Sequence, residues 1–127
     1  MGYKKTVYLA FFFSEIKCHS KAISTLKNGL DTLTDKRERS SVMINIGMEL
    51  TKIKKYKEAV KYFHKGLSMV ENEVLEYHPT FIYILKVFHD YGENGLYQKW
   101  YYNFINRVSY DKKFKRIIKK CDEPVPR

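Results

Sequence analysis

The side chains in this chain best suited to catalysis or metal binding are its histidines and cysteines. The four histidines stand at positions His19, His64, His78 and His89. No two of them are four residues apart, which is the spacing that brings two imidazoles to one side of a helix around a zinc ion. The two cysteines, Cys18 and Cys121, are far apart and form no C-x-x-C pair. The sequence therefore predicts no metal site, and free thiols of this kind are typical of a cytoplasmic protein.

Other catalytic patterns are missing from the sequence as well. There is no glycine-rich phosphate loop and no G-x-S-x-G nucleophile elbow. Paired carboxylates occur, but nothing in the sequence places them in a dry cleft where their pKa values would separate. We therefore expect a protein that is not an enzyme and that needs no cofactor.

The remaining candidates are side chains suited to holding a peptide. An asparagine amide has two donors and one acceptor, so Asn45 could clamp an extended peptide backbone, while Lys52 and Lys86 could bind a carboxylate. The alternative for Asn45 is a hydrogen bond within the fold, and the alternative for the lysines is ordinary solvated surface.

A constant spacing of small and aromatic residues indicates the elements that would position this set. Two antiparallel helices pack closely where both present small side chains at their crossing, as Gly47 and Ala59 would. An interval of 12 residues recurs three times, as Ala10 to Ala22, Gly47 to Ala59, and Phe88 to Trp100. The interval predicts three helical hairpins, and the two large rings of the third predict a hairpin that splays open or is specialised for a terminal position.

Hydrophobic periodicity and capping residues place the helices. We predict helices at about 4–17, 20–33, 36–53, 56–72, 79–91, 96–108 and 111–120. Ser20, Asp35 and Asp111 are the expected N-caps, Asp35 with Glu38 resembles a capping box, and Pro79 suits a first turn. One domain is expected over residues 1–121, followed by a frayed tail over residues 122–127, where two prolines prevent a helix.

The spacing in the middle of the chain resembles the tetratricopeptide repeat family. Met43-x2-Ile46-Gly47-x2-Leu50 is followed by Ala59-x3-Phe63, close to the motif of that family. The resemblance implies an all-α, right-handed α-solenoid of about three hairpins plus a C-terminal capping helix. It also implies a protein- or peptide-binding module whose groove is formed by the first helix of each hairpin. On this register the predicted ligand-binding set, facing the groove, is Tyr8, Phe11, Asn45, Met48, Lys52, Lys86 and His89. The repeat intervals, 37 and 41 residues, exceed the usual length.

A narrower resemblance concerns residues 84–97. This stretch is similar in texture to the sensor domains of peptide-pheromone regulators of low-GC Gram-positive bacteria (Rgg/PlcR-like). The resemblance implies a bacterial quorum-sensing role in transcriptional regulation, as the C-terminal sensor part of a regulator. A nucleic acid would then be a partner only as part of a larger regulator.

The charge of the chain supports two further hypotheses. The formal net charge is +10, from 24 lysines and arginines against 14 acidic residues, and it favours acidic partners. A basic cluster near the C-terminus comprises Lys112, Lys113, Lys115, Arg116, Lys119 and Lys120. It could contact nucleic acid. Alternatively, it could be the solvated face of a capping helix that packs through Phe114, Ile117 and Ile118.

A structural homo-oligomer, with a homodimer as its simplest form, is the other alternative. No apolar run approaches the length of a membrane span, so no membrane partner is expected.

Overall fold

A computed structural model describes residues 2–93 and 95–125. All regular secondary structure in that part of the chain is helical, and it contains no strand. This confirms the predicted all-α class. The α-helices are α1 (Tyr3–Glu15), α2 (His19–Leu30), α3 (Lys36–Lys52), α4 (Tyr56–Met69), α5 (Thr80–Tyr91), α6 (Leu96–Asn106) and α7 (Lys115–Lys120). Two short 3₁₀ turns, Arg107–Ser109 and Lys112–Phe114, join α6 to α7. No described helix is long and apolar enough to span a bilayer.

Two of the three predicted N-cap residues, Asp35 and Asp111, cap a helical start. The Asp35 carboxylate accepts a hydrogen bond of 2.9 Å from the Glu38 amide and caps α3 as predicted. The Asp111 carboxylate likewise accepts from the Lys113 amide, although a 3₁₀ turn precedes α7. The prediction of Ser20 as N-cap of α2 is wrong, because the helix begins at His19 with Cys18 before it.

The chain forms two compact units, one up to Val70 and the other from Glu71 onward. We call them the N-terminal unit and the C-terminal unit. The single domain predicted over 1–121 stays a prediction. In the N-terminal unit α1 packs on α2, α2 on α3 and α3 on α4, around a core with Ile46 and Phe63 fully buried.

The two hairpins of the N-terminal unit turn in the same way, 37 residues apart. Lys17 follows α1 with a φ of 63°, and Lys54 follows α3 with a φ of 63°. The next amide in each turn donates to a carbonyl five residues earlier, Cys18 to Phe13 at 2.7 Å and Lys55 to Leu50 at 2.9 Å. The turn therefore repeats at the same interval that separates Ala10 from Gly47 in the sequence.

The predicted close approach at Gly47 is filled by an aromatic ring. A Cβ placed on Gly47 would lie 2.5 Å from the Cε1 atom of Phe63 and 2.6 Å from its Cδ1 atom. Phe63 follows Ala59 by one turn of α4. The Phe63 ring leaves no room for a side chain at position 47 of α3, so the glycine is explained by this ring as well as by the close approach of Ala59.

A second close approach, which the sequence interpretation missed, repeats in both hairpins. A Cβ on Gly29 would lie 2.3 Å from the Cγ2 atom of Thr6, and one on Gly66 would lie 3.0 Å from the carbonyl oxygen of Ser40. The Ser40 hydroxyl donates to the Gly66 carbonyl at 2.7 Å. Gly29 and Gly66 are again 37 residues apart, so the second helix of each hairpin carries its glycine at the same position.

The C-terminal unit is built on aromatic packing. Phe88 and Trp100, the two large residues of the third predicted hairpin, are both almost completely buried. Phe81 stacks on Phe104 with ring centroids 4.7 Å apart and on Phe114 at 5.9 Å. Large rings therefore fill the interior of this unit, in place of the small residues at the corresponding positions of the first two hairpins.

Polar side chains after α6 hold the extended segment 71–77 of the C-terminal unit. The buried Arg107 guanidinium donates to the carbonyl oxygens of Glu71 and Glu73. The Tyr110 hydroxyl accepts from the Leu75 amide and donates to the Leu75 carbonyl. The Asp111 carboxylate accepts from the Tyr77 amide at 3.1 Å. The segment thus has partners for its backbone although it is not helical.

The described part of the tail, residues 122–125, packs on the C-terminal unit. Pro124 is buried, and the Tyr97 hydroxyl donates to the Asp122 carbonyl. Helix α7 ends at Lys120, ahead of these residues, and they are held by contacts where fraying was expected. Residues 126 and 127 lie outside the described part of the chain.

Candidate functional site

Helices α1 and α3 run side by side in the same direction within the N-terminal unit. Near their N-termini the Tyr3 hydroxyl lies 2.7 Å from the Ser41 hydroxyl oxygen. Near their C-termini the Ser14 hydroxyl donates to the Glu49 carboxylate at 3.1 Å. Bonds at both ends show that the two helices are parallel, so residues at equivalent positions of each are presented on the same side.

Five of the seven predicted ligand-binding residues lie on this helix pair. Tyr8 and Phe11 on α1 are exposed, with 72% and 62% of their surface accessible. Asn45 and Met48 on α3 are half-buried. They stand 37 residues after Tyr8 and Phe11, so the two pairs occupy equivalent positions. We call the surface formed by these four residues and Lys52 the α1–α3 surface.

The Asn45 amide is available for a ligand. The sequence left open whether this side chain bonds within the fold, and the structure shows no hydrogen bond from it to any residue in 2–93 or 95–125. A half-buried amide without a protein partner can direct its two donors and its acceptor at a bound molecule.

Lys52 belongs to a polar cluster at the C-terminal end of the α1–α3 surface. Its ammonium group donates to the Glu49 carboxylate at 2.7 Å and to the Ser14 hydroxyl at 2.8 Å. The second carboxylate oxygen of Glu49 lies 3.0 Å from the Nδ1 atom of His19. Lys52 itself is exposed, whereas only 9% of the Glu49 side chain is accessible. The cluster therefore joins both helices of the first hairpin to α3.

The charge of Glu49 is stabilised by this cluster. Burial raises the pKa of the Glu49 carboxyl, but the hydrogen bonds from Lys52, His19 and Ser14 together outweigh burial and hold the pKa below its ordinary value of 4.5. Glu49 is therefore ionised at neutral pH. With the lysine beside it, the cluster is an ion pair supported by the side chains of His19 and Ser14.

The sequence interpretation missed Glu49 and Ser14. The third side chain, His19, opens α2 as Tyr56 opens α4, 37 residues later. The signal for Glu49 was a carboxylate among the apolar positions of α3, next to Leu50. Its partners His19 and Ser14 are 30 and 35 residues away in sequence, so local patterns could not identify them.

The other two predicted residues, Lys86 and His89, lie on α5 in the C-terminal unit, and both are exposed. The His89 ring packs edge-on against Tyr97 at 5.3 Å, and its Nδ1 atom lies 3.0 Å from the Asp90 carboxylate. Both rings line an open pocket of about 290 Å³. Burial, with negative groups nearby, raises the pKa of Tyr97 to about 12, so its hydroxyl stays protonated.

The basic cluster of the C-terminus is the polar face of a docked helix. Phe114 and Ile117 are fully buried, whereas Ile118 remains exposed. All six predicted basic residues, Lys112, Lys113, Lys115, Arg116, Lys119 and Lys120, are exposed. Arg116 lies over the Tyr77 ring at 5.8 Å. Two of the three apolar side chains of the predicted stripe are therefore used for packing within the unit, while the basic side chains face solvent.

Within the described ranges no three histidine, cysteine or acidic residues are grouped so that they could hold a metal ion. Cys18 and Cys121 are free thiols. Burial raises the pKa of the Cys121 thiol, which disfavours the reactive thiolate.

Comparison with known proteins gives no relative from which a function could be transferred. No protein-family model matches the chain, and no curated protein and no solved structure matches it. The candidate site therefore rests on the geometry of the α1–α3 surface.

Proposed function

We propose that the protein is a helical-repeat binding module that holds an extended peptide or protein segment on the α1–α3 surface. The observation that carries the proposal is the half-buried Asn45 amide, which has no hydrogen-bond partner in the described chain. It lies on a helix parallel to one that exposes Tyr8 and Phe11. A backbone donor and acceptor of a bound strand would satisfy the amide in one contact.

The side chains around Asn45 suit the side chains of a peptide. Tyr8 and Phe11 offer large apolar contact area with few rotatable bonds, and the half-buried Met48 can adapt to residues of different shape. Aromatic residues and methionine are enriched where proteins bind partners. The surface therefore favours a segment with apolar residues on either side of the amide contact.

Lys52 adds a preference for negative charge. An ammonium group has three donors, and two of them are used by Glu49 and Ser14. The third donor of this exposed side chain can bind a carboxylate of the ligand. The net charge of +10 further favours an acidic segment during encounter.

The repeat geometry supports the solenoid form of the proposal. Both hairpins of the N-terminal unit have a lysine with positive φ in the turn between their helices, Lys17 and Lys54, 37 residues apart. The second helix of each hairpin has a glycine at a close approach, Gly29 and Gly66, also 37 residues apart. Within the N-terminal unit, α1 to α4 pack in chain order. This arrangement is the one expected of a tetratricopeptide-like α-solenoid, whose first helices line the binding groove. A sensor role in a peptide-responsive regulator stays a prediction from the resemblance.

The test is peptide binding by the intact chain. An array of short peptides alternating acidic and apolar residues is probed, and the best binder is titrated by fluorescence anisotropy. Asn45→Ala should raise the Kd about tenfold, because about 1.4 kcal/mol of hydrogen bonding to the backbone is lost. Asn28→Ala is the matched control, since Asn28 is exposed on α2. Equal affinity of both variants, or an array without any binder, would contradict the proposal.

A further inference from the structure

The outer face of α1 exposes a row of large apolar side chains. Tyr8, Phe12 and Ile16 follow one another at intervals of four residues, so they lie in one row along the helix. Their accessible fractions are 72%, 55% and 53%. A contiguous apolar row of this size marks an interaction surface in a folded protein. We call it the α1 row.

The same face of the repeated helix α3 is used for packing. Phe12 and Ile16 of α1 stand 37 residues before Glu49 and Ile53, and so occupy their positions in the repeat. Glu49 is covered by Ser14 and His19 of the first hairpin. The position equivalent to the α1 row thus accepts helical elements in this fold, and in α1 it carries an apolar ring where α3 carries a carboxylate.

The charged residues beside the α1 row interact unfavourably with the dipole of α1. Lys4 and Lys5 lie in the first turn, which has no acidic residue, and Glu15 ends the helix. All three are exposed. Cations near a helix N-terminus and anions near its C-terminus are unfavourable in isolation, and a second helix running antiparallel alongside would reverse the sign of both effects.

We propose that the α1 row is the interface of a homodimer, in which α1 packs antiparallel against α1 of a second copy. A two-fold axis near Ala10 would place Tyr8 against Phe12 of the second copy, and Lys5 opposite its Glu15. An isologous contact of this kind is the commonest symmetric interface, and each charged pair occurs twice in it. The opposite charges fix the antiparallel direction, and the apolar row provides the buried area.

The area is sufficient for a weak but specific dimer. Large side chains bury roughly 150–250 Å² each, so the accessible fractions of the α1 row with Phe11 correspond to about 500 Å² per copy. Two copies would bury about 1,000 Å², which is near the lower limit for a specific interface. Dimerisation should therefore be visible at concentrations from about 10 µM to 1 mM.

Sedimentation velocity of the full chain across this range tests the proposal. The wild type should shift from monomer to dimer with concentration. Phe12→Glu should raise the dimer Kd about tenfold or more, and because Phe12 is exposed in the monomer, circular dichroism should show an unchanged fold. Tyr83→Glu, an exposed aromatic of α5, is the matched control and should dimerise as the wild type does.

A charge exchange tests the direction of the helices. Lys5→Glu places two carboxylates opposite each other in the antiparallel pair and should weaken the dimer severalfold. Lys5→Glu combined with Glu15→Lys restores opposite charges and should recover the wild-type Kd. A monomer at every concentration, a dimer that tolerates Phe12→Glu, or a double variant as weak as the single one would overturn the proposal. The dimer would cover Tyr8 and Phe11, which also belong to the α1–α3 surface. Peptide binding is therefore titrated at protein concentrations below the dimer Kd, where Asn45→Ala tests the proposed function apart from the dimer.

Discussion

At the scale of single residues, Glu49 shows how a carboxylate is kept charged beneath the α1–α3 surface. Burying a charge is unfavourable unless it is paired and hydrogen-bonded, and Glu49 has three side-chain partners from three helices. Each bond ties α3 to another element or to the next turn. The carboxylate therefore links the first hairpin to α3 through hydrogen bonds.

Removing this charge should destabilise the N-terminal unit. Glu49→Gln should lower the free energy of unfolding at pH 7 by about 1–3 kcal/mol, since the exposed Lys52 keeps part of its solvation but its ionic bond is lost. Urea denaturation followed by circular dichroism measures the change. Glu58→Gln on the exposed face of α4 is the control and should change stability by about 0.5 kcal/mol at most.

The lowered pKa of Glu49 also predicts a pH dependence with a defined sign. A carboxyl whose pKa is lower in the folded state contributes stability above its unfolded pKa, and this contribution disappears as the pH falls through the folded value. The wild type should therefore lose stability relative to Glu49→Gln as the pH drops below about 4.5. If the difference between wild type and variant were the same at pH 7 and pH 3, the cluster would not stabilise the ionised form.

Lys54 carries local strain that a single substitution should relieve. Its φ of 63° is in the left-handed region, where a side chain costs about 1 kcal/mol relative to glycine. Lys54→Gly should raise the free energy of unfolding by about 0.5–1 kcal/mol, after allowance for the greater freedom of glycine in the unfolded chain. Lys57→Gly, inside the first turn of α4, should lower it by a similar amount. Equal effects at both positions would show that Lys54 is not strained.

At the scale of elements, the segment 71–77 depends on four residues in or after α6. The side chains that bind its backbone are those of Asn103, Arg107, Tyr110 and Asp111. Two backbone hydrogen bonds hold the Asp111 pKa below its ordinary value, with the Tyr77 amide as the main cause. A non-helical connection is thus ordered by side chains rather than by a backbone ladder.

Arg107 is the residue of this group whose loss should matter most. Arg107→Ala removes a buried guanidinium and leaves the carbonyls of Glu71 and Glu73 without those donors, so it should cost about 2–4 kcal/mol. Hydrogen exchange should also accelerate at the amides of Leu75 and Tyr77. Lys119→Ala is the control, because Lys119 is exposed on α7. Unchanged exchange in 71–77 would show that the segment is held by other contacts.

At the scale of the whole chain, local patterns predicted the helices well. Periodicity and caps located all seven α-helices, because both act within one or two turns. Ser20 failed as a cap because the turn at Lys17 starts α2 earlier. The contact of Gly47 with Phe63 and the cluster at Glu49 depend on pairs of residues brought together by packing, and such pairs leave no local trace. The sequence therefore located the helices that carry the candidate site, but it did not identify the polar cluster at Glu49 that joins them.

The matching turns at Lys17 and Lys54 have a consequence for engineering. Because both junctions have the same backbone conformation, excision of one 37-residue period from Lys17 to Ile53 would join Ile16 to Lys54 through a connection the chain already uses. Duplication of that period would likewise create only a junction with the backbone conformation already present at Lys17 and Lys54. The chain can thus be shortened or lengthened in register, with the surface chemistry of each module chosen separately from its backbone.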